Sequence, residues 1–241
     1  MLTICIGYDE HEKIAFHVLA HSIMRRASRP VAIIPVMLSQ LSQVHKRLRS
    51  PEQSTDFTYT RFLTPWIAGG ACTYEPANTG PSIFMDCDML CLTDITELED
   101  IAREHIYDDV LVVKHEYTPK PENKFRNQKQ TTYPCKNWSS LMVFNGHRMA
   151  VRYLSPAYVD QAPAMDLHQF RWASTVGSLP PIWNHLVGEY PPNPHARIVH
   201  FTRGGPWFKG FERCEYSSHW FAEFEDMCHC ETYSPSNKKR L

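Results

Sequence analysis

Neither sign of charge dominates this chain. Its 25 Lys and Arg offset 26 Asp and Glu, leaving a formal net charge of −1, so no basic field draws in a polyanion and a nucleic-acid partner is disfavoured. Long apolar runs are missing too. The N-terminal Leu2-Thr3-Ile4-Cys5-Ile6 is too short for a secretory h-region and ends in polar Tyr8-Asp9-Glu10, and no later stretch approaches a membrane span. The expectation is a soluble, cytoplasmic protein with no transmembrane segment. The eight cysteines are scattered, with Cys5 and Cys91 inside apolar runs where a thiol behaves as a small hydrophobe, and Cys228-His229-Cys230 has no second pair at zinc-finger spacing. Reduced thiols are expected. With no internal repeat and no low-complexity linker, the 241 residues read as one domain able to bury its own core.

What the chain does have is an alternation of apolar runs with helical patterns. Leu2 to Gly7 reads as a buried strand, Glu10 to about Ala27 as a helix with Ile14, Val18, Leu19 and Ile23 on one side, and Val31 to Leu38 as a second strand. Arg25, Arg26 and Arg29 suit the negative end of that helix, and Pro30 ends it. Such a βαβ unit predicts an α/β fold with a mixed, mostly parallel central sheet flanked by helices. Phe57 to Ile67 reads as helical despite Pro65; Ser82 to Met85 and Val110 to Lys114 read as strands, with Asp94 capping a helix from Ile95 to Arg103 between them. The polar stretch Thr118 to Lys136, carrying Lys120, Lys124, Arg126, Lys129 and Lys136, is a loop, either a solvated excursion or a cationic flap over an anionic substrate. Leu141 to Phe144 is another buried strand. Beyond it, Pro180-Pro181, Pro191-Pro192 and Pro194 predict a loop-rich C-terminal part, and His219 to Met227 a short helix whose Trp220, Phe221 and Phe224 dock on the core or face a partner.

Two short segments carry chemistry. Asp86-Cys87-Asp88 stands at the end of the apolar run Ser82-Ile83-Phe84-Met85, and the strand period of two aims both carboxylates to one side while Cys87 packs away from it. Paired hard oxygen ligands suit a divalent cation of the Mg or Mn type, and such a cation suits a diphosphate. Asp-x-Asp also arises by chance as a pair of solvated turn carboxylates. The second segment, Ile198-Val199-His200-Phe201-Thr202-Arg203-Gly204-Gly205-Pro206-Trp207, delivers His200 from a strand into a glycine turn fixed by Pro206 and Trp207. Neutral imidazole can complete a two-carboxylate site, and adjacent glycines let backbone N–H groups approach phosphate oxygens.

With two further segments, these resemble the type A (GT-A) glycosyltransferases, in particular glycosyltransferase family eight and its short bacterial relatives. Phe84-Met85-Asp86-Cys87-Asp88 looks like that family's Asp-x-Asp motif, and His200 to Trp207 like its late His-aromatic-x-Gly-x-x-Lys-Pro-Trp motif. Tyr59-Thr60-Arg61-Phe62-Leu63-Thr64-Pro65 resembles the family's Tyr-x-Arg-Phe helix, whose arginine lies near the donor and the first aspartate. Asn137-Trp138-Ser139-Ser140-Leu141-Met142-Val143-Phe144-Asn145 resembles the strand that lines its sugar pocket. The resemblance spans about Ile4 to Trp207.

That resemblance implies a single GT-A domain: residues 1–115 as a nucleotide-binding half, 116–215 as the acceptor and sugar half, and 216–241 as a C-terminal aromatic helix and tail. It implies a retaining, metal-dependent transfer from a nucleotide-diphosphate sugar, a UDP-sugar foremost, with Mn2+ or Mg2+ held by Asp86, Asp88 and His200. Catalysis then rests on Arg61, Asp86 and Asp88, with no protein nucleophile. Tyr8, Asp9, Arg61, Asn137, Ser139, Ser140, Asp166, Gly204, Gly205 and Trp207 are implied to meet the donor. Tyr8 and Asp9 contact the base by stacking and by accepting a base N–H, or else Tyr8 packs and Asp9 caps the next helix. The implied acceptor is a saccharide or a lipid-linked species, and the aromatic C-terminus leaves room for a homodimer or for attachment at a membrane periphery.

Two departures from the family pattern matter. Its lysine before Pro-Trp is Gly205 here, leaving Arg203 and Lys209 as candidates for the phosphate contact. Its acidic group before Leu-Pro is replaced by Ala173-Ser174-Thr175-Val176-Gly177, so the donor-sugar contact falls to Asp166 with His168 and Gln169, unless these form an ordinary helix start. Trp183, Asn184 and His185 read as lining the acceptor side, with Trp183 alternatively a core aromatic. Two other readings stand beside the transferase. A haloacid dehalogenase-type phosphotransferase places Asp-x-Asp on its first strand, and a catalytically silent sugar-nucleotide-binding protein fits Ser174, Thr175 and Gly205.

Overall fold

The computed structural model describes residues 1–49, 53, 55–69, 80–116 and 134–229. The strands are β1 (Leu2–Gly7), β2 (Val31–Val36), β3 (Ser82–Met85), β4 (Met89–Cys91), β5 (Val110–Val112), β6 (Leu141–Phe144), β7 (Val176–Ser178), β8 (His185–Leu186) and β9 (Ile198–His200). The helices are α1 (Lys13–Arg26), α2 (Thr64–Ala68), α3 (Glu97–Glu104), α4 (Met149–Arg152), α5 (Pro156–Gln161), α6 (Ala164–His168) and α7 (Ser217–Cys228). A six-stranded sheet runs β2-β1-β3-β6-β5-β7, with β2-β1, β1-β3 and β5-β7 parallel and both pairings of β6 antiparallel. The expected mixed, mostly parallel α/β sheet is therefore present. Its inner strands β3, β5 and β6 are buried at every position, as continuous apolar runs covered on both faces must be. Pro35 lies in β2 at the sheet edge, where a missing ladder donor costs nothing.

Local details depart from the sequence reading for identifiable reasons. The expected helix from Phe57 to Ile67 divides into a 3-10 turn, Thr60–Leu63, and α2, because Pro65 fits only a first helical turn. Asp94 accepts from Thr96 N at 2.9 Å and from Ser28 N at 3.2 Å, so it ties a turn ahead of α3 rather than capping the helix itself. Prolines break the C-terminal half as expected: α4, α5 and α6 have 4, 6 and 5 residues.

The C-terminal helix docks on the core. Trp220 of α7 is buried and stacks on Phe224 at 5.5 Å, and the buried Glu223 meets His21 Nδ1 at 2.6 Å and Arg26 Nη2 at 2.7 Å on α1. Glu223 thus neutralises the basic end of α1 that the sequence left open. The six described cysteines are free. Cys72, Cys230, Lys120, Lys124, Arg126 and Lys129 lie outside the described residues; Lys136, the last member of the expected cationic flap, is buried.

A second, three-stranded sheet, β4-β9-β8, lies beside the first. Because β3 belongs to the large sheet and β4 to the small one, Asp86-Cys87-Asp88 is the crossing between them.

Candidate functional site

Asp86-Cys87-Asp88 forms a bend, not the strand that the alternation argument assumed. Its two ends are tied to different sheets. Asp86 N donates to Ser140 O at 2.9 Å, just before β6, and Asp88 O accepts from Phe201 N at 2.8 Å, just after β9. Cys87 is buried between them. Both carboxylates converge as expected, but through this double anchoring rather than through strand pleating. Register then brings in the third group: Met89 of β4 pairs with His200 of β9. Ligand atoms of Asp86, Asp88 and His200 all lie within 4.8 Å of one another.

A separate hydrogen-bond network holds each side of this triad. Arg61, buried, pairs through Nη1 with Asp86 Oδ1 at 3.0 Å, and the same nitrogen donates to Ser139 O at 2.9 Å. Its guanidinium lies 5.3 and 5.1 Å from the Phe57 and Phe84 ring centroids. Ser139 Oγ meets His168 Nδ1 at 2.9 Å; burial foremost, then the Arg61 charge, pushes the His168 pKa down to about 3, so this imidazole is neutral. On the other side, His200 Nε2 faces Asp88 Oδ1 at 3.2 Å and its Nδ1 faces Asn184 Oδ1 at 3.1 Å. Asn184 Nδ2 donates to Ser140 Oγ at 2.9 Å, and Ser140 Oγ donates to Asn137 O at 2.7 Å.

Glu12 is the residue the sequence reading missed. Only 3 % exposed at the head of α1, its carboxyl is pushed well above the usual carboxylate range, first by burial and then by the charges of Asp88, Asp9 and Asp86. The Trp207 indole N–H lies close enough to ease its ionisation, but Oε2 has no hydrogen bond of ordinary geometry among the described residues. A concentration of buried negative charge of this kind is unfavourable unless compensated. Hard oxygens plus one imidazole nitrogen form a donor set of the kind that suits Mn2+ or Mg2+, and a cation there would offset the negative field that acts on Glu12. The signal available in the sequence was an acidic side chain one turn beyond Tyr8-Asp9.

Other expected donor contacts separate into those near the triad and those engaged elsewhere. Asp9 Oδ1 accepts from His11 N at 2.9 Å and Oδ2 from Asp56 N at 3.3 Å, which is the capping role. Tyr8 packs edge-on against Phe16, with ring centroids 5.4 Å apart. Asn137, at a left-handed φ of 62°, sends Nδ2 to Thr202 Oγ1 at 3.4 Å and so joins the turn before β6 to the glycine turn. Gly204 has φ 121°, a conformation for glycine, while Gly205 lies under Trp207: a Cβ there would meet the indole ring at 2.1 Å. With the Trp207 ring placed as it is in this chain, a side chain at position 205 would require the indole to move. Arg203 packs against Gly188 and is half-buried; Lys209 is exposed. Asp166 pairs with Arg171 at 2.9 Å, and Gln169 also accepts from Arg171, so these two tie down the chain leaving α6 rather than its start, and only His168 points to Ser139. The backbone N–H groups of Ser174 and Thr175 both donate to buried Asp109, at 2.7 and 3.0 Å, bracing the sheet edge. Trp183 is a core aromatic, and Asn184, fully buried, faces His200 rather than an acceptor.

The chain is 38% identical over 245 residues to Protein CDI of Arabidopsis thaliana, an alignment covering 98% of this chain and 88% of that protein. The chain belongs to the Protein CDI family. No family model matches it. Among solved structures, this member of the CDI family is similar to the WbbM bifunctional glycosyltransferase, with TM-score 0.60 and 16% identity over 92% of this chain and 49% of that one. It is also similar to the glycosyltransferase GlyE of Streptococcus pneumoniae TIGR4, with TM-score 0.58 and 11% identity over 94% and 63% of the two chains. The galactosyltransferase LgtC, solved with donor and acceptor sugar analogs, gives TM-score 0.56 and 10% identity over 95% of this chain and 97% of that one. The CDI-family chain thus spans about half of WbbM and nearly all of LgtC. At these identities the comparison shows the fold, which is the GT-A type of these glycosyltransferases. Among the described residues, no helix is long and apolar enough to cross a membrane.

Proposed function

We propose that this chain is a metal-dependent glycosyltransferase that moves a sugar, with retention, from a nucleotide-diphosphate sugar, a UDP-sugar foremost, to a saccharide or lipid-linked acceptor. The observation that carries this reading is the convergence of Asp86, Asp88 and His200 at the crossing between two sheets of a GT-A fold. These three side chains would hold Mn2+ or Mg2+, which would supply positive charge to the diphosphate leaving group. Arg61 fixes the rotamer of Asp86; the Gly204 N–H is committed to Phe201 O at 2.7 Å, so within the glycine turn the contact to phosphate oxygens falls to Gly205. As the bond from the anomeric carbon to phosphate oxygen breaks, a bond to the acceptor oxygen forms on the same face. The acceptor's proton passes to the leaving phosphate oxygen. No protein nucleophile is assigned.

One observation favours a second reading, a sugar-nucleotide binder without turnover: Ser174 and Thr175 serve Asp109, and Asp166 serves Arg171. The haloacid dehalogenase reading fails on topology, because the motif follows β3 in a GT-A fold.

Calorimetry with UDP and GDP, with and without Mn2+, on the wild type and Asp88→Ala, followed by donor hydrolysis across UDP-sugars, separates these. Metal-linked UDP binding that needs Asp88, with one sugar cleaved, supports the transferase. Binding without cleavage turns the assignment to the silent binder, and absence of metal-linked nucleotide binding overturns both.

A further inference from the structure

We infer that Asn184 is a positioning residue that holds a proton on Nδ1 of His200 and so turns Nε2 to the metal site. Hydrogen-bond direction fixes the chain of reasoning. Asn137 O is a carbonyl and can only accept, so Ser140 Oγ spends its proton there, across 2.7 Å. Ser140 Oγ must then accept from the Asn184 amide nitrogen at 2.9 Å. That turns the amide oxygen, an acceptor, to His200 Nδ1 at 3.1 Å, so Nδ1 carries the ring proton. The other nitrogen, Nε2, is left facing Asp88 Oδ1 at 3.2 Å, on the side where the Asp86 and Asp88 oxygens converge.

Burial makes this relay decisive. Asn184 is 0 % exposed, Ser140 and His200 each 2 %, so no water competes at Nδ1, and a ring without a proton there would set two acceptors, Nδ1 and the Asn184 amide oxygen, against each other. The relay also spans the fold: Asn137 and Ser140 precede β6 in the large sheet, Asn184 precedes β8, and His200 ends β9 in the small one. Ring orientation at the site is thereby slaved to the same strand whose Ser140 carbonyl anchors Asp86. Partners of this kind behind a metal-bound imidazole typically change metal affinity about 10- to 100-fold when removed.

This inference rests on the metal-site reading, and the test keeps their failures apart. Nitrogen-15 NMR of the histidine rings in the metal-free wild type reads the His200 tautomer directly; an Nδ1–H signal is expected, and an Nε2–H tautomer overturns the inference whatever any variant does. Titration with Mn2+ alone then compares the wild type, Asn184→Leu and Asn184→Asp. Asn184→Leu should weaken Mn2+ binding about 10- to 100-fold, while Asn184→Asp, which keeps an acceptor for Nδ1–H, stays within a few-fold of wild type. Equal Mn2+ affinity in a folded Asn184→Leu overturns the positioning role, and a wild type that binds no Mn2+ overturns the metal site and the inference together.

Discussion

Arg61 and Asp86 form a 3.0 Å ion pair whose guanidinium nitrogen also reaches the Ser139 carbonyl at 2.9 Å. The first aspartate is therefore aimed before any cation arrives. Removing one partner of a buried pair strands the other charge, at a cost of about 3–5 kcal/mol. Arg61→Met should lose stability on that scale in metal-free buffer, and Mn2+ should recover part of it by supplying positive charge at the same carboxylate. Urea unfolding with and without Mn2+ checks this; a loss unchanged by Mn2+ would mean that the cation does not sit at Asp86.

Gly205 leaves room for the Trp207 ring, so a lysine before Pro206-Trp207 would need that ring to move. A Cβ at Gly205 overlaps the indole ring, and forcing atoms into a packed site costs about 1–3 kcal/mol. Gly205→Ala should be destabilised by about that amount, and Gly205→Lys should not improve nucleotide binding. Pairing Gly205→Ala with Trp207→Leu removes the ring that it strikes. A double-mutant cycle by thermal denaturation should show the two changes costing less together than in sum; strict additivity would place the clash elsewhere.

Glu12 links the negative field of the site to pH. Its carboxyl is raised above its unfolded value, first by burial and then by Asp88, Asp9 and Asp86, so the folded state holds the extra proton. Its contribution to stability is present below the unfolded carboxylate range and is lost as pH rises through the raised value. Glu12→Gln should stabilise the metal-free protein near pH 8, leave it unchanged near pH 4, and reduce the stabilisation that Mn2+ confers. Melting curves at both pH values read this out. An equal effect at the two would show that Glu12 does not titrate in this range.

Much of this arrangement was legible from residue order. The apolar runs at Leu2–Gly7 and Leu141–Phe144 declared buried strands because a fully covered strand has no polar face, and His200 stood out because a glycine turn follows it. What was not legible depends on tertiary register. Asp86 and Asp88 converge by being tied to Ser140 and Phe201, contacts far away in sequence, and no local period encodes them. Asn184 looked like an acceptor-side residue because its role needs Ser140 and His200 as neighbours. Glu12 looked like one more acidic residue at a helix start, and only burial beside Asp88 distinguishes it. Asp166 was assigned to the donor sugar by order along the chain, yet Arg171, five residues on, claims it.

Two buried histidines, His115 and His168, should make the fold sensitive to acid. Burial is the main cause holding His115 and His168 at a pKa of about 3, reinforced by His200 and His185 around the first and by Arg61 beside the second. Unfolded, both titrate near about 6.5. Between those values the unfolded chain binds more protons, so stability rises with pH across the window and falls as pH drops from about 6.5 towards 3, by at most about 1.4 kcal/mol per pH unit for each imidazole. His168→Gln keeps a hydrogen-bonding group for Ser139 while removing the titration, and should flatten the dependence of urea midpoint on pH between 6.5 and 4.5. His115→Gln should do the same from the other side of the triad. A pH profile as steep as wild type in both variants would assign the acid sensitivity to the carboxylates instead, since an acid whose ionised form the fold favours loses stability as pH falls through its own, lower range.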